Sequence, residues 1–407
     1  MKTIRYLEVE GRSMGYYALL GILGLIVAAG GISALYMEHS GHWVTGMTNQ
    51  IVWGMPHVFA VFLIVAASGA LNVASISSVF NKKAYKPLAP LSAILSICLL
   101  LGGLTVLVLD LGQPDRLVVA MTIYNFKSIF AWNMILYNGF IAIVAVYIWF
   151  MLERKMNVYS KYAGFTAFFW RLILTTGTGS IFGFLVARQA YDAAIMAPMF
   201  IIMSFAYGLA IFILVMMAAY NWSGRELGDA TVNRMKNLLG VFVAAVLYFM
   251  AAYHLTNLYA SENHGVEAFI LKDGGIYTQL FWYGTILVGG IIPLLLVYVP
   301  ACAKSRSSIA LASILVILGG LATMYVIIIG GQAYPIEMFP GKIVESTFFD
   351  GGVKSYTPTL AETLLGVGGF ALALIMVAVA VKVLRFLPAT MADAAVDPHY
   401  KAEEASK

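Results

Sequence analysis

The chain has 407 residues, 61% of them apolar and only 11% charged, with a net charge of +5. That balance excludes a soluble globular domain and a disordered chain, and points to a protein built for the lipid bilayer. The positive excess lies in short connecting segments. No basic face with interleaved aromatics stands outside the apolar stretches, so nucleic acid is excluded as a partner.

Ten apolar stretches predict an all-α, polytopic bundle of ten transmembrane helices. They run over Tyr16–Met37, Pro56–Phe80, Ala89–Leu109, Ser128–Leu152, Ala163–Ala190, Ala197–Tyr220, Asn237–Tyr259, Ile276–Val299, Ser307–Gly330 and Ala361–Phe386. About 20 residues at about 1.5 Å each cross a hydrocarbon core. Residues 1–15 form an N-terminal segment, 16–386 the membrane domain and 387–407 a tail. The first stretch is too long for a signal-peptide core and reads as a retained helix.

Basic residues set the expected orientation, because Lys and Arg stay on the cytoplasmic side. With the N-terminus inside, 18 of the 25 basic residues are cytoplasmic. The outer loops hold only Arg116, Lys127, Lys272, Lys342 and Lys354, while Arg171 and Arg188 fall within predicted spans. Both termini are therefore expected in the cytoplasm of a bacterium, with the chain in its inner membrane.

Two cysteines, Cys98 in a span and Cys302 in an inner loop, cannot ligate an iron–sulfur cluster, which takes about four thiolates. No Walker-type run, no GxGxxG before a helix and no HExxH is present, and no metal site is expected. Glycine pairs such as Gly102-Gly103, Gly289-Gly290 and Gly319-Gly320 predict close helix contacts.

Polar residues inside the spans are costly, so their depth is informative. His57 opens the second span and Asp110 ends the third. Asn125, Ser128, Trp132 and Asn133 begin the fourth, Arg188 and Gln189 close the fifth, and Tyr253, His254 and Asn257 end the seventh. Five helices thus deliver their polar groups to one outer layer. Plain structural roles exist for each: an Asp110–Arg116 pair ordering the loop, Arg188 snorkelling to headgroups, His254 satisfied within the core. Together the groups suit a quinone head group, which is flat and apolar and needs hydrogen-bond donors and a proton acceptor. Histidine suits that proton shuttle, with Asp110 passing the proton to water from a hydrated position.

The run Trp53-Gly54 followed by Ala66-Ala67-Ser68-Gly69-Ala70 resembles the second-helix signature of the NrfD family. Leu109-Asp110-Leu111-Gly112-Gln113-Pro114-Asp115-Arg116 resembles its LDLGxPxR motif, and Asn125-Phe126-Lys127-Ser128 with Trp132 resembles its fourth-helix start. These motifs are clearest over residues 45–155. The resemblance implies a haem-free, quinone-reactive membrane subunit of a respiratory complex, using menaquinone or ubiquinone. It also implies a periplasmic iron–sulfur subunit as electron partner, with a further catalytic subunit, a molybdoenzyme or a cytochrome, and membrane lipid around the spans. Carried onto this chain, it makes His57 a quinone ligand and places Asp110 and Arg116 on the outer proton or docking surface. Tyr124 and Asn125 fall at the pocket wall. Arg188 and His254 join the cofactor-binding set by depth alone. No chain of buried glutamates is expected to lead inward. A b-type cytochrome with His57 and His254 as axial ligands, and a secondary transporter, are the competing readings.

Overall fold

The computed structural model describes residues 4–336 and 352–397. Ten long helices appear among them: α1 (Met14–Ser40), α2 (Met55–Ser78), α3 (Lys83–Leu109), α4 (Ile129–Leu152), α5 (Ser160–Gly183), α6 (Met196–Trp222), α7 (Asp229–Tyr259), α8 (Ile276–Tyr298), α9 (Arg306–Ala333) and α10 (Leu360–Val383). Nine of these are long and apolar enough to cross a bilayer. The exception is α5, which has the length but carries Lys161, Arg171 and a run of Thr, Ser and Gly. The chain is a polytopic helical membrane protein.

Hydrophobicity all round a helix signals burial on all sides. That describes α2, whose apolar window is 94% buried, whereas α1 is only 22% buried. Helix α2 is therefore the hub, packed by α3, α5, α6, α9 and α10, and α1 lies outside against α10. Helix α2 is interrupted at Leu71, and the side chain of Ser92 on α3 repairs the gap. Its hydroxyl donates to the Ala70 carbonyl at 2.6 Å and accepts the Ala74 N–H at 3.1 Å. Away from water each such backbone group needs a partner inside the protein.

The predicted glycine contacts are present. A Cβ on Gly103 would stand 2.9 Å from the Ala60 carbonyl, so α3 lies directly on α2. Gly102 faces the Gly369 carbonyl on α10, and Gly289 and Gly319 press α8 on α9 backbone to backbone. Wide π turns occupy Leu280–Ile291 in α8 and Val326–Gly330 in α9. At the other end of the bundle the terminal segments pair antiparallel, Tyr6 with Pro388 and Leu7 with Leu387. Arg225 fastens them by donating to the carbonyls of Leu7, Glu8, Leu387 and Pro388.

Two boundaries differ most from expectation: the seventh helix, predicted from Asn237, begins at Asp229, and the fifth ends early. The fifth helix was predicted to reach Ala190 but stops at Gly183. Beyond it the chain closes successive tight turns, Leu185 N–H to Phe182, Arg188 N–H to Leu185 and Tyr191 N–H to Arg188. The following segment folds back so closely that a Cβ on Gly183 would stand 2.8 Å from the Ala193 carbonyl. Arg188 therefore belongs to a loop and not to a span. The long Pro- and Gly-containing segment from Gly331 to Leu360 reads in the sequence as an ordered cap or a docking surface; its residues 337–351 lie outside the described residues.

Candidate functional site

The N-terminal end of α2 is held by side chains from the far end of the sequence. Gln332, buried at the end of α9, accepts the N–H groups of Val52 (2.9 Å) and Trp53 (3.0 Å) on Oε1. Its Nε2 donates back to the Trp53 and Ile328 carbonyls. The Met55 N–H donates to the Tyr356 hydroxyl at 2.7 Å, and that hydroxyl donates to Glu362 Oε1 at 2.8 Å. A Cβ on Gly54 would lie 2.5 Å from the same Glu362 oxygen, so a larger residue there would push the Glu362 and Tyr356 side chains out of these hydrogen bonds. Pro56 in the first turn is preorganised for a helix start. His57 follows in that turn, its position fixed by these contacts.

The partner comes from α3. Asp110 caps that helix, two turns outward from Gly103, while His57 lies one turn outward from Ala60 on antiparallel α2. Their close crossing brings His57 Nδ1 to 2.8 Å from Asp110 Oδ2. The carboxylate side chain is 1% exposed and the imidazole 22%. The ring N–H is not aimed along that line, so neither Asp110 oxygen has a hydrogen bond among the described residues. Trp53 stacks on the imidazole with centroids 6.2 Å apart, and also meets Phe130, Phe182 and Tyr191. A buried carboxylate without a hydrogen bond is costly unless charge or a ligand compensates it. This one faces a histidine that remains partly open under an aromatic slab.

The expected roles of Asp110 are thereby revised. It is buried, not hydrated, and its partner is His57, not Arg116. The other predicted residues fall elsewhere. Asn125 Oδ1 accepts the Lys127 N–H in a local turn, and Tyr124 packs on Phe126, itself exposed. Arg188 donates to the Gln50 carbonyl at 2.7 Å and the Gln332 carbonyl at 3.0 Å, tying three segments at this end of the bundle together. Burial holds its guanidinium below the ordinary value, with Tyr191 opposing that shift. Burial pushes the Tyr191 phenol up, and its hydroxyl donates to the Ile328 carbonyl at 2.7 Å.

His254 forms a second cluster. Its Nδ1 lies 2.7 Å from Glu267 Oε2, and Asn257 donates to Glu267 Oε1 at 2.9 Å. Glu267 is fully buried. The neighbouring cavity, lined by Met196, Met250, Tyr253 and Phe281, has about 30 Å³, room for roughly two waters. The path between the two histidines runs through Trp53, Tyr191 and the Tyr253–Ala190 hydrogen bond. The structure keeps them in separate clusters, each with its own carboxylate.

Trp53, Gln332, Glu267 and Glu362 went unrecognised as parts of these clusters. Glu267 had a faint signal, one acid within the apolar run Val266 to Ile270. Glu362 had a stronger one, following Thr359 in a capping box. Gln332 had none.

A family model, "Polysulphide reductase, NrfD", matches residues 43–336. The chain belongs to the NrfD family. The match continues well past the motifs clearest in residues 45–155, so α6 to α9 are NrfD-like as well. Similar proteins include an Hdr-like menaquinol oxidoreductase integral membrane subunit of Archaeoglobus fulgidus, 27% identical over 95% of this chain and 97% of that one. A putative membrane subunit of a dimethyl sulfoxide reductase from Halobacterium salinarum is 28% identical over 91% of this chain and 90% of its own length. A subunit of a selenate reductase from Mesobacillus selenatarsenatis is 23% identical, covering 91% and 93%. This NrfD protein thus resembles subunits of several oxidoreductases along nearly its whole length.

Proposed function

We propose that this NrfD chain is the quinone-interacting membrane subunit of a multi-subunit oxidoreductase, and that His57 and Asp110 handle the quinol proton at its outer end. The observation that carries this reading is the buried, unbonded Asp110 carboxylate 2.8 Å from a partly exposed imidazole beneath Trp53. The donor set fits a quinone: an apolar aromatic face for the ring, a titratable nitrogen for an oxygen, a carboxylate behind it. Menaquinol is named for the Archaeoglobus relative, and a quinol supplies two electrons and two protons when oxidised. Asp110 lies against Nδ1 at 2.8 Å, so its charge favours the imidazolium once a proton has arrived from the quinol, and the partly exposed ring is left to meet a quinone oxygen.

Two cysteines cannot supply an iron–sulfur cluster with its roughly four thiolates, and we assign the electron acceptor to another chain. We place an iron–sulfur partner on the outer face, with a molybdoenzyme-type catalytic subunit beyond it, in line with the reductases among the relatives. The short helix Leu117–Thr122 supports this docking side: none of its residues is buried, and Val118, Val119, Ile123 and Phe126 form an exposed apolar surface. The ten-span arrangement with both termini in the cytoplasm completes the proposal, α5 being the tenth crossing.

A double-mutant cycle tests the pair. His57→Gln and Asp110→Asn should each cut quinol-dependent turnover of the assembled complex by about 10²-fold, at the low end of acid–base effects. The double variant should be little worse, because residues acting as one unit are non-additive. Losses that simply multiply, or normal turnover in either single variant, would remove the pair from the reaction.

A further inference from the structure

We propose that the termini-side groove between α4 and α5 is a binding site for an anionic diacyl phospholipid. Near mid-bundle the two helices are pinned together: Trp170 Nε1 donates to the Leu136 carbonyl at 2.9 Å, and its ring fills the space left by Gly139. Toward the termini side the helices leave an open groove of about 890 Å³. Ala142, Val146, Phe150, Tyr159, Ala163 and Thr166 line it. The lining is apolar along its length, which suits acyl chains.

The mouth of the groove has the opposite character. The turn from Glu153 to Tyr159 and the first turn of α5 carry Arg154, Lys155 and Lys161, all exposed, next in sequence to the lining residues Met156, Tyr159 and Tyr162. Glu153 is the only acid in this stretch, which leaves it a net charge of +2. Its carboxylate accepts the Lys155 backbone N–H in a local turn. Among the described residues none of the three cations forms an ion pair. The turn itself is ordered, with Asn157 Nδ2 donating to the Met151 carbonyl and Ser160 Oγ to the Asn157 carbonyl. Basic pockets between transmembrane helices are suited to anionic headgroups, and tyrosines at such a level are interfacial anchors. Charge complementarity therefore selects a phosphate-bearing, net-negative lipid over a zwitterionic one. The site lies at the opposite end of the bundle from His57 and does not depend on the proposed quinone chemistry.

Native mass spectrometry of the full-length chain in detergent tests this, with phosphatidylglycerol and phosphatidylcholine of identical acyl chains as probes. At roughly fivefold per cation near an anionic group, the net +2 predicts about a thirtyfold preference for phosphatidylglycerol. Arg154→Gln/Lys155→Gln/Lys161→Gln, all surface changes, should abolish the preference while weak phosphatidylcholine binding persists. Ala163→Phe, which fills the groove, should remove the high-affinity phosphatidylglycerol adduct with all three cations intact. Equal affinity for the two lipids would overturn the proposal. So would an undiminished preference in the triple variant, or full competition by sn-glycerol 3-phosphate alone. A cysteine at Val146 that cross-links a protein subunit in the assembled complex would assign the groove to a partner helix and overturn it as well.

Discussion

Gly103→Ala adds one methyl group where α3 crosses α2. That carbon would stand 2.9 Å from the Ala60 carbonyl oxygen and 3.1 Å from Ile64 Cγ1 and Leu63 Cβ. Ordinary carbon contacts are about 3.5–4.0 Å, so the helices must part by about 0.5 Å. The Ala60 oxygen is backbone and cannot swing aside. The displacement passes along α2 to His57, one turn away, and opens its 2.8 Å approach to Asp110 to about 3.3 Å, weakening the charge contact between them. Overpacking of this kind costs about 1–3 kcal/mol of stability. A 1 Å misplacement at a reacting geometry costs on the order of 10²-fold, so half of that predicts about a tenfold loss of quinol-dependent turnover. Gly289→Ala is the matched control, since its Cβ would meet Gly319 Cα at 2.8 Å in the distant α8–α9 contact. Both variants should lower the melting temperature, and only Gly103→Ala should lose turnover. Full activity in Gly103→Ala, or equal losses in both, would refute the idea that this crossing sets the site.

Two further outcomes are expected. Arg188→Met removes the donor from the Gln50 and Gln332 carbonyls and should cost about 1.5–3 kcal/mol of stability, the scale of a charge-assisted hydrogen bond, read as a lower melting temperature. An unchanged melting temperature with weakened quinone-inhibitor binding would instead return Arg188 to the binding site. A cysteine cross-linker at Asp115, on the outer loop, should capture the electron-accepting subunit, whereas one at Lys83, on the opposite end, should not. Capture from Lys83 alone would reverse the docking side.

The helices were legible because lipid demands long apolar runs, and the glycine pairs because close backbone packing admits nothing larger. The end of α5 was not, since Phe184 to Ala190 is apolar enough for a helix and only the fold-back at Ala193 stops it. Depth placed His57 and Asp110 in one layer, but not within 2.8 Å of each other. That pairing depends on Gly103 and on the rotation of two helices, which composition does not encode. Local hydrogen-bond chemistry hid the rest. Gln332 acts by clamping the backbone of a segment remote in sequence. Glu267 sits in what reads as an outer loop, and its burial follows from His254 and Asn257 converging on it.

Two histidine–carboxylate clusters at one end of the bundle make the location of quinone the decisive question. Photolabelling of the assembled complex with an azidoquinone, followed by peptide mapping, answers it. The proposed function predicts label on the segment containing Trp53 and His57 or on that containing Asp110, lost in Asp110→Asn and displaced by excess quinone. Label confined to residues around Tyr253, His254 and Phe281 would contradict it and move the quinone to the second cluster.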